Sequence, residues 1–321
     1  MKYDVVTIGT ATKDYFLKLA EKWSKKASQE RDFVLPLGAK VEIEKVFMQT
    51  GGGATNTAVS FSRLGLKTGI ITKIGNDESG NEVHQILKKN NVDYRQVLID
   101  KEFATAMGIV LSNPFGERTI LVYRGASANM HPKEVSFNIQ TIWWYICSLA
   151  GSSAALFPKA LAAKGRKAVN PGKEEIMLLK KKKSLLKKID VLIMNLEEAG
   201  MLVSGNIETM AKKLNHLGVP LILITNGRKG GVVYDGSVFY HYTALKVKPV
   251  NTLGAGDAFG SSFVAGLIRH KNIEESLQLA SVNTTNVVRH IGAKVGLLKE
   301  SHIALFEKKY GKISITKKKR T

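Results

Sequence analysis

Cysteine is almost absent from this sequence. The 321 residues include one cysteine, Cys147, so no disulfide can form within the chain. Folds held together by several disulfides are therefore excluded, and a reducing compartment such as the cytoplasm is the expected location. Cys147 lies in the apolar run Ile142–Ala150, which predicts a core position rather than a nucleophile.

Several functional signatures are also missing. No apolar run is long enough to cross a membrane, and no secretory leader is apparent, since the first apolar run, Val5–Ile8, is too short. The seven histidines show no spacing typical of metal ligands, so we expect no zinc site. The chain lacks a GxxxxGK[ST] loop and a GxGxxG fingerprint, which argues against a P-loop kinase and a dinucleotide-dependent enzyme.

Acidic residues are scarce relative to basic ones. There are 48 Lys and Arg against 27 Asp and Glu, for a net charge of +21. Nucleic acid is one partner that such a charge suggests. The basic residues are scattered and not interleaved with aromatics, so we predict no nucleic-acid partner. Lysines 180–183 with 187–188 indicate a solvated helix face, and residues 317–320 a frayed terminal tail.

The rest of the composition is that of an ordinary globular chain, with 44% hydrophobic and 23% charged residues. After residue 140, strand-like and helix-like patterns alternate, which predicts a largely parallel sheet covered by helices. The predicted strands in this part are Trp143–Ser148, Lys167–Asn170, Val191–Met194, Leu221–Thr225 and Gly231–Tyr234.

The most informative segment is Asn251–Phe259, which reads NTLGAGDAF and leads into an apolar, helix-like run. A glycine-rich turn at a helix start leaves backbone N–H groups free, and the helix dipole adds partial positive charge, so phosphate is the expected ligand. A carboxylate, Asp257, is explained there if it takes a proton from a hydroxyl that attacks the phosphoryl group. The segment therefore predicts phosphoryl transfer.

This segment resembles the C-terminal signature of the PfkB carbohydrate kinases, the ribokinase-like family. A second stretch, Gly51–Gly65, reads GGGATNTAVSFSRLG and resembles the family's N-terminal signature, about two hundred residues earlier. The similarity extends roughly from Tyr3 to Leu298. One position departs from the family pattern, because Asn251 stands where relatives usually have Asp.

The resemblance implies an α/β fold, a ribokinase-like three-layer α/β/α sandwich with a mainly parallel central sheet and a small β lid. We expect one domain over residues 1–321, with lid segments roughly at 15–50 and 103–124. Period-two alternation in Lys40–Met48 predicts a half-exposed strand, and Ala104–Leu111 with Arg118–Tyr123 predicts a hairpin around residues 113–116. The polar segment Glu21–Asp32 predicts a mobile loop.

For the acceptor site, the resemblance points to Asp14, Gly51, Gly52, Gly53 and Asn56. Asp14 follows an apolar strand, and strand ends are where open α/β sheets present ligand-binding groups. The glycines allow close backbone approach, and an amide can both donate to and accept from hydroxyls. Turn or capping roles are the alternatives for the Asp and the Asn.

For the nucleotide site, the resemblance implies that Asn195 and Glu198 position Mg²⁺ through its waters, Glu198 being the metal-associated carboxylate. A capped helix start is the alternative. Further nucleotide-flanking residues are matched on two later segments, 224–231 and 280–293. These are Thr225, Gly227, Gly230 and Asn283.

The resulting prediction is an ATP-dependent carbohydrate kinase acting on a hydroxyl of a ribose-like or fructose-like sugar. Asp257 is the predicted general base, and the amides of Gly254, Ala255 and Gly256 form the anion hole. A nucleoside kinase on the same fold and a non-catalytic sugar- or nucleotide-sensing protein are the alternatives. ATP and Mg²⁺ are the expected cofactors, a monovalent cation is in doubt because of Asn251, and a homodimer is a further prediction.

Overall fold

The computed structural model describes residues 2–19, 35, 37–112 and 118–319. Within this part the chain forms two sheets and their covering helices. The strands are β1 (Tyr3–Ile8), β2 (Thr12–Leu19), β3 (Ile43–Gly51), β4 (Thr68–Gly75), β5 (Asp93–Asp100), β6 (Ala106–Ser112), β7 (Arg118–Tyr123), β8 (Thr141–Ile146), β9 (Arg166–Val169), β10 (Val191–Asn195), β11 (Leu221–Thr225), β12 (Gly231–Tyr234), β13 (Val238–Tyr242) and β14 (Ile315–Lys319). The helices are α1 (Gly53–Arg63), α2 (Glu78–Lys89), α3 (Phe157–Ala162), α4 (Lys173–Lys181), α5 (Leu196–Leu202), α6 (Ile207–His216), α7 (Ala255–Ile268), α8 (Ile273–Val287) and α9 (Ile303–Tyr310).

The large sheet has ten strands in the order β14-β13-β12-β11-β10-β9-β8-β1-β4-β5. The seven strands from β11 to β5 run parallel, and β12, β13 and β14 add to the β11 edge in antiparallel fashion. Parallel strands are buried on both faces, which explains why β10 and β11 read as continuous apolar runs. All five strands predicted after residue 140 are present, within two residues at each end.

Neighbouring residues of the central strands belong to different core clusters. Val5 and Trp143 pack on one face of the sheet, while Val6 and Trp144 pack on the other. This follows from the two-residue period of a strand. One face is covered by α3 to α6 and the other by α1, α7 and α8, so the predicted three-layer arrangement is confirmed. Cys147 is buried in this core, as its apolar context predicts.

A second sheet of four strands, in the order β3-β2-β6-β7, forms what we call the lid sheet. β6 and β7 pair antiparallel, which confirms the predicted hairpin, although residues 113–117 at its turn lie outside the described residues. The predicted strand at Lys40–Met48 is β3, and most of its side chains are exposed. The segment Glu21–Asp32, predicted to be a mobile loop, also lies outside the described residues.

Two predictions about local structure are wrong. Asp14 lies on β2, in the lid sheet, and not on a turn after β1. Residues 317–319 are not a frayed tail, because they pair with β13 as the edge strand β14. Their lysines suit an exposed sheet edge, and Lys317 and Lys318 also pair with Glu274 and Glu208 at 2.8 and 2.9 Å. In the described part of the chain, no helix is both long and apolar enough to cross a membrane.

Candidate active site

The start of α7 presents a group of backbone amides. Gly254 caps the helix with φ of 78°, in the left-handed region, and a Cβ at this position would fall 2.2 Å from the Cβ of Ala293. Only glycine satisfies both conditions. The amides of the first helical turn have no partner within the helix and lie at the positive end of its dipole. The start of α7 therefore has an arrangement that commonly binds anions, although the Ala255 amide donates to the backbone oxygen of Thr252 at 3.3 Å in this structure.

Asp257 is the third residue of α7 and is half-buried. Its Oδ2 accepts a hydrogen bond of 2.7 Å from Nδ2 of Asn56. Burial raises the pKa of Asp257 to about 6, against the lowering effect of Asn56 and Lys294; Asp14 and Glu198 raise it further. A carboxyl group with this pKa is mostly ionised at pH 7. Its pKa is also near the operating pH, which favours proton transfer.

The residue that connects these groups, Lys294, was not identified from the sequence. It is 4% exposed, and its ammonium donates to Oδ1 of Asn56 at 2.6 Å and to the backbone oxygen of Thr50 at 2.8 Å. The signal in the sequence is a single lysine within IGAKVGLL, an otherwise apolar segment. Buried lysines are rare enough that this context could have marked it.

Asp14 lies beside the segment Gly51–Gly53, which links β3 to α1 and which we call the glycine turn. The hydroxyl of Thr12 donates to Oδ1 of Asp14 at 2.8 Å. Burial raises the pKa of Asp14, although Thr12 and Lys294 lower it. A Cβ on Gly51 would lie 1.9 Å from Oδ2 of Asp14, so glycine at this position makes room for the carboxylate.

Gly53 and Asn56 show how α1 enters the site. A Cβ on Gly53 would lie 3.8 Å from Oδ1 of Asp257, so the helix start faces that carboxylate. The side chain of Asn56 does not cap α1, whose N-cap is Gly52. The capping role considered for Asn56 is therefore wrong, and its amide is engaged with Asp257 and Lys294 instead.

A cavity of about 890 Å³ opens beside the anion-binding turn. Ala255 and Gly256 belong to its wall, together with the three predicted residues Thr225, Gly227 and Gly230. The wall also carries basic, aromatic and hydroxylated side chains. They are Arg228, Lys246, Lys248, Tyr242, Phe259, Ser281, Thr284 and Thr285.

The structure does not place Asn283 in the wall of this cavity. Its side chain is fully buried, donates to Oγ of Ser262 at 2.7 Å and accepts from the amide of Leu298 at 2.8 Å. Asn283 therefore braces α8 against its neighbours. Ser281 and Thr284, on the same helix, line the cavity instead, and both hydroxyl oxygens are buried without a hydrogen-bond partner among the described residues.

Asn195 and Glu198 form a capping box at the start of α5. The amide of Glu198 donates to Oδ1 of Asn195 at 2.8 Å, and the amide of Asn195 donates to Oε2 of Glu198 at 2.9 Å. Burial raises the pKa of Glu198, and the charge of Glu198 contributes to the raised pKa of Asp257. The capping alternative is thus observed.

The same two residues fit a role beside Mg²⁺. A carboxylate that accepts one amide bond keeps further acceptor capacity, and oxygen donors with waters suit this ion. No cluster of three or more His, Cys, Asp or Glu able to hold a metal occurs in the described part of the chain. A dedicated protein cage is not needed, because Mg²⁺ in such sites is held by one or two carboxylates and by substrate phosphates.

The sequence matches the family model described as pfkB family carbohydrate kinase over residues 24–299. The chain belongs to this family. Among curated relatives, the ribokinase of Staphylococcus aureus (strain COL) is 26% identical over 312 residues, covering 92% of this chain and 97% of that protein.

Solved structures agree on the fold. The nucleoside kinase of Methanocaldococcus jannaschii superposes with a TM-score of 0.80 at 20% identity, covering 96% of this chain and 99% of that one. The Arabidopsis thaliana ribokinase complexed with ribose and ATP superposes with a TM-score of 0.78 at 20% identity, covering 95% and 99%. The ribokinase-like fold predicted from the sequence is confirmed.

As a member of the pfkB family, the chain is a phosphotransferase with a hydroxyl group as acceptor, an ATP-dependent carbohydrate kinase. The structure brings together Asp257, Asn56, Asp14 and the glycine turn, although these residues are far apart in the sequence. It places Asn283 apart from them and adds Lys294.

Proposed function

We propose that this chain transfers the γ-phosphoryl group of ATP to a hydroxyl of a ribose-like or fructose-like sugar, with Asp257 as the general base. One observation carries the proposal. The Asp257 carboxylate lies at the start of α7, next to Ala255 and Gly256, which line the large cavity. On its other side it is hydrogen-bonded to Asn56 and faces Gly53, in the glycine segment that also packs against Asp14.

In the proposed step, the acceptor hydroxyl is held by Asp14 and the residues Gly51, Gly52 and Gly53, and it gives its proton to Asp257. The hydroxyl oxygen forms a bond to the γ-phosphorus as the bond from that phosphorus to the β,γ-bridging oxygen breaks, and ADP leaves. The amides of Gly254, Ala255 and Gly256 stabilise the charge on the transferring group. A single donor of this kind is commonly worth about 3 kcal/mol.

We assign the cavity beside α7 to ATP. Its wall contains Thr225, Gly227 and Gly230 and three basic side chains, Arg228, Lys246 and Lys248, which suit a triphosphate. Asn195 and Glu198 are the residues that would hold Mg²⁺ through its waters. The ion, when bound, neutralises phosphate charge.

The test is a coupled ADP-release screen over neutral sugars, sugar phosphates and nucleosides, with Asp257→Asn as the blank. The expected result is turnover with one or more ribose-like or fructose-like sugars and a loss of turnover in the variant. ADP release that is equally fast in the variant, or in the absence of any acceptor, would contradict the proposal.

A nucleoside kinase is the second candidate. It is supported by the likeness to the Methanocaldococcus jannaschii nucleoside kinase, which superposes with a TM-score of 0.80. The nucleoside arm of the screen decides between the two, since a nucleoside kinase would use adenosine or another nucleoside in preference to free ribose.

Some broader features also remain proposals. A single domain with an inserted lid is supported by the contribution of the lid sheet to the site through Asp14 and Thr50. A homodimer is supported by exposed apolar side chains on the lid sheet, and light scattering would test it. These side chains are Val46, Phe47, Met48, Ile120, Leu121 and Val122. A cytoplasmic location is supported by the single, buried cysteine.

We also propose that the excess positive charge does not serve nucleic-acid binding. Some of the exposed basic residues are paired with carboxylates, including Lys317 and Lys318 on β14. A salt titration with random duplex and single-stranded DNA tests this, because binding to phosphates would weaken steeply with salt.

A further inference from the structure

Lys294 begins a chain of hydrogen bonds that ends at the proposed general base. It follows α8 and is buried. Its ammonium donates to Oδ1 of Asn56 at 2.6 Å, and Nδ2 of Asn56 donates to Oδ2 of Asp257 at 2.7 Å. A second bond, to the backbone oxygen of Thr50 at 2.8 Å, joins the same ammonium to β3 of the lid sheet.

We propose that Lys294 is a positioning residue for phosphoryl transfer: it fixes the orientation of the Asn56 amide and so holds the Asp257 carboxylate ionised and directed at the acceptor hydroxyl. The inference rests on the proposed role of Asp257 as the general base.

The orientation of the amide follows from the chemistry of the lysine. An ammonium group has donors and no acceptor. Asn56 must therefore turn its oxygen toward Lys294, and its NH₂ group then faces Asp257. The reverse orientation would place an amide oxygen against a carboxylate and an NH₂ group against an ammonium. Since an ionised carboxylate is the stronger acceptor, the chain favours the form of Asp257 that can take a proton.

Among the described residues, the ammonium of Lys294 forms no direct ion pair with a carboxylate. Among the ion pairs within 4.0 Å in the described part of the chain, none includes Lys294. Its two hydrogen-bond acceptors are neutral oxygens of Thr50 and Asn56. Burying a charge without a direct counter-ion is costly for stability. Because no carboxylate is paired directly with the ammonium, its positive charge can stabilise the ionised forms of Asp14 and Asp257.

The groups that act on Lys294 come from several elements. Burial lowers the pKa of Lys294 to about 7, with Arg63 on α1 acting in the same direction and Asp14 on β2 and Asp257 on α7 opposing it. The ammonium form therefore prevails below pH 7, the range that the acid side of the profile covers. Arg63 also donates to the backbone oxygen of Lys294 at 2.8 Å, which fixes the segment that carries it. Glu198 on α5 acts on Asp257 and opposes the effect of Lys294 there. Removing the lysine charge therefore leaves two carboxylates, Asp14 and Asp257, without an opposing ammonium.

The experiment compares the acid side of the kcat/KM–pH profile in the full-length enzyme and in Lys294→Met, Lys294→Gln and Lys294→Arg. Loss of a nearby positive charge raises a carboxyl pKa by about one unit or more. We expect both neutral variants to fall to about a tenth of the unmodified activity at pH 5.5 and to recover most of it at pH 8.5. Lys294→Arg keeps the charge, and its profile should lie closer to the unmodified one.

Lys73→Met is the matched control, because Lys73 is also buried but lies outside the site. Its profile should be unshifted. An unchanged acid limb in folded Lys294→Met or Lys294→Gln would overturn the inference, and so would failure of both to fold, since Lys294 would then be structural. If Asp257→Asn retains activity, the general base itself is wrong; if it is inactive while the Lys294 variants are unshifted, only this inference fails.

Discussion

Two clusters of buried charge in this enzyme are built in different ways. In the first, which we call the structural cluster, Lys73 on β4 contacts Asp100 at 3.0 Å and Glu134 at 2.8 Å. In the second, which we call the site cluster, Lys294 contacts neutral oxygens, and one amide, that of Asn56, separates it from Asp257.

The pKa values of the two clusters differ accordingly. Burial acts to lower the pKa of Lys73, but its bonds to Glu134 and Asp100 outweigh this and raise it. Burial lowers the pKa of Lys294 and raises that of Asp257. The structural cluster thus stabilises its charges by direct pairing. In the site cluster, the pKa values of Asp257 and Lys294 are shifted toward neutral pH, and groups with such shifted values are common at catalytic sites.

The two clusters should differ most in how kcat responds when one carboxylate of each is neutralised. Asp257→Asn removes the proposed base, so kcat should fall about 10²- to 10⁴-fold while ATP binding persists. Asp100→Asn, the matched change in the structural cluster, should leave kcat per folded molecule nearly unchanged. Steady-state kinetics and nucleotide titration measure both. An Asp257→Asn enzyme with more than about a third of the unmodified kcat would mean that Asp257 is not the base.

The second effect concerns the unfolding free energy, and here the structural cluster should be the more sensitive of the two. Lys73→Met leaves two carboxylates facing an apolar side chain, which should cost about 3 kcal/mol of unfolding free energy. Lys294→Met removes a charge that is expensive to bury and that is hydrogen-bonded to neutral oxygens, while Asp14 and Asp257 lose only a more distant attraction. The loss of unfolding free energy should therefore be less than half as large. Urea denaturation at pH 7 measures the two values. Equal losses would show that both lysines serve the fold in the same way.

A third effect follows from the pKa of Asp257. Because the folded value of about 6 lies above the ordinary 3.8, the unfolded chain ionises more readily, and this group disfavours folding once the pH rises through that interval. The penalty is absent below pH 4 and complete above pH 6. At pH 7, the unfolding free energy of Asp257→Asn, measured by urea denaturation, should therefore exceed that of the unmodified enzyme by about 1–3 kcal/mol. At pH 4 the two values should be equal.

Asp100→Asn is again the control, with the opposite sign. Its backbone hydrogen bonds and Lys73 lower the pKa of Asp100 despite the opposing effect of burial, so its ionised form favours folding and the variant should be less stable at pH 7. The difference should shrink as the pH falls. A pH-independent difference for Asp257→Asn would contradict the raised pKa.

How far the sequence predicted these clusters depends on how local their signals are. The start of α7 was recognisable because its glycines, its carboxylate and the apolar helix lie in one segment. Strand β4, by contrast, was missed although all eight residues are buried, because Lys73 interrupts it and its partners lie 27 and 61 residues away. Lys294 is 238 residues from Asn56, and no local pattern links them.

Asn283 shows a different difficulty in reading a helix from its sequence. Its position on α8 matched the family, but the helix turns its side chain into the core, where Ser262 and Leu298 take both ends of the amide. Residues two and one positions away, Ser281 and Thr284, line the cavity. A shift of one or two residues along a helix changes the face that a side chain occupies, and the sequence alone did not fix that face.

The smallest effect concerns a position where charge is missing. Asn251 precedes the anion-binding turn, and its Oδ1 accepts from the amide of Leu253 at 2.7 Å, so the turn keeps its path without a carboxylate. The family resemblance implies a monovalent-cation site in this region, and we expect a neutral oxygen to hold K⁺ less well than a carboxylate. We expect weak K⁺ stimulation of the unmodified enzyme and about fivefold stronger stimulation of Asn251→Asp. Initial rates against KCl, at an ionic strength fixed with a large organic cation, measure both, and Asn251→Ala controls for loss of the hydrogen bond. Strong K⁺ activation of the unmodified enzyme would instead mean that backbone oxygens alone form the site, and that charge at this position, unlike charge in the site cluster, is not required.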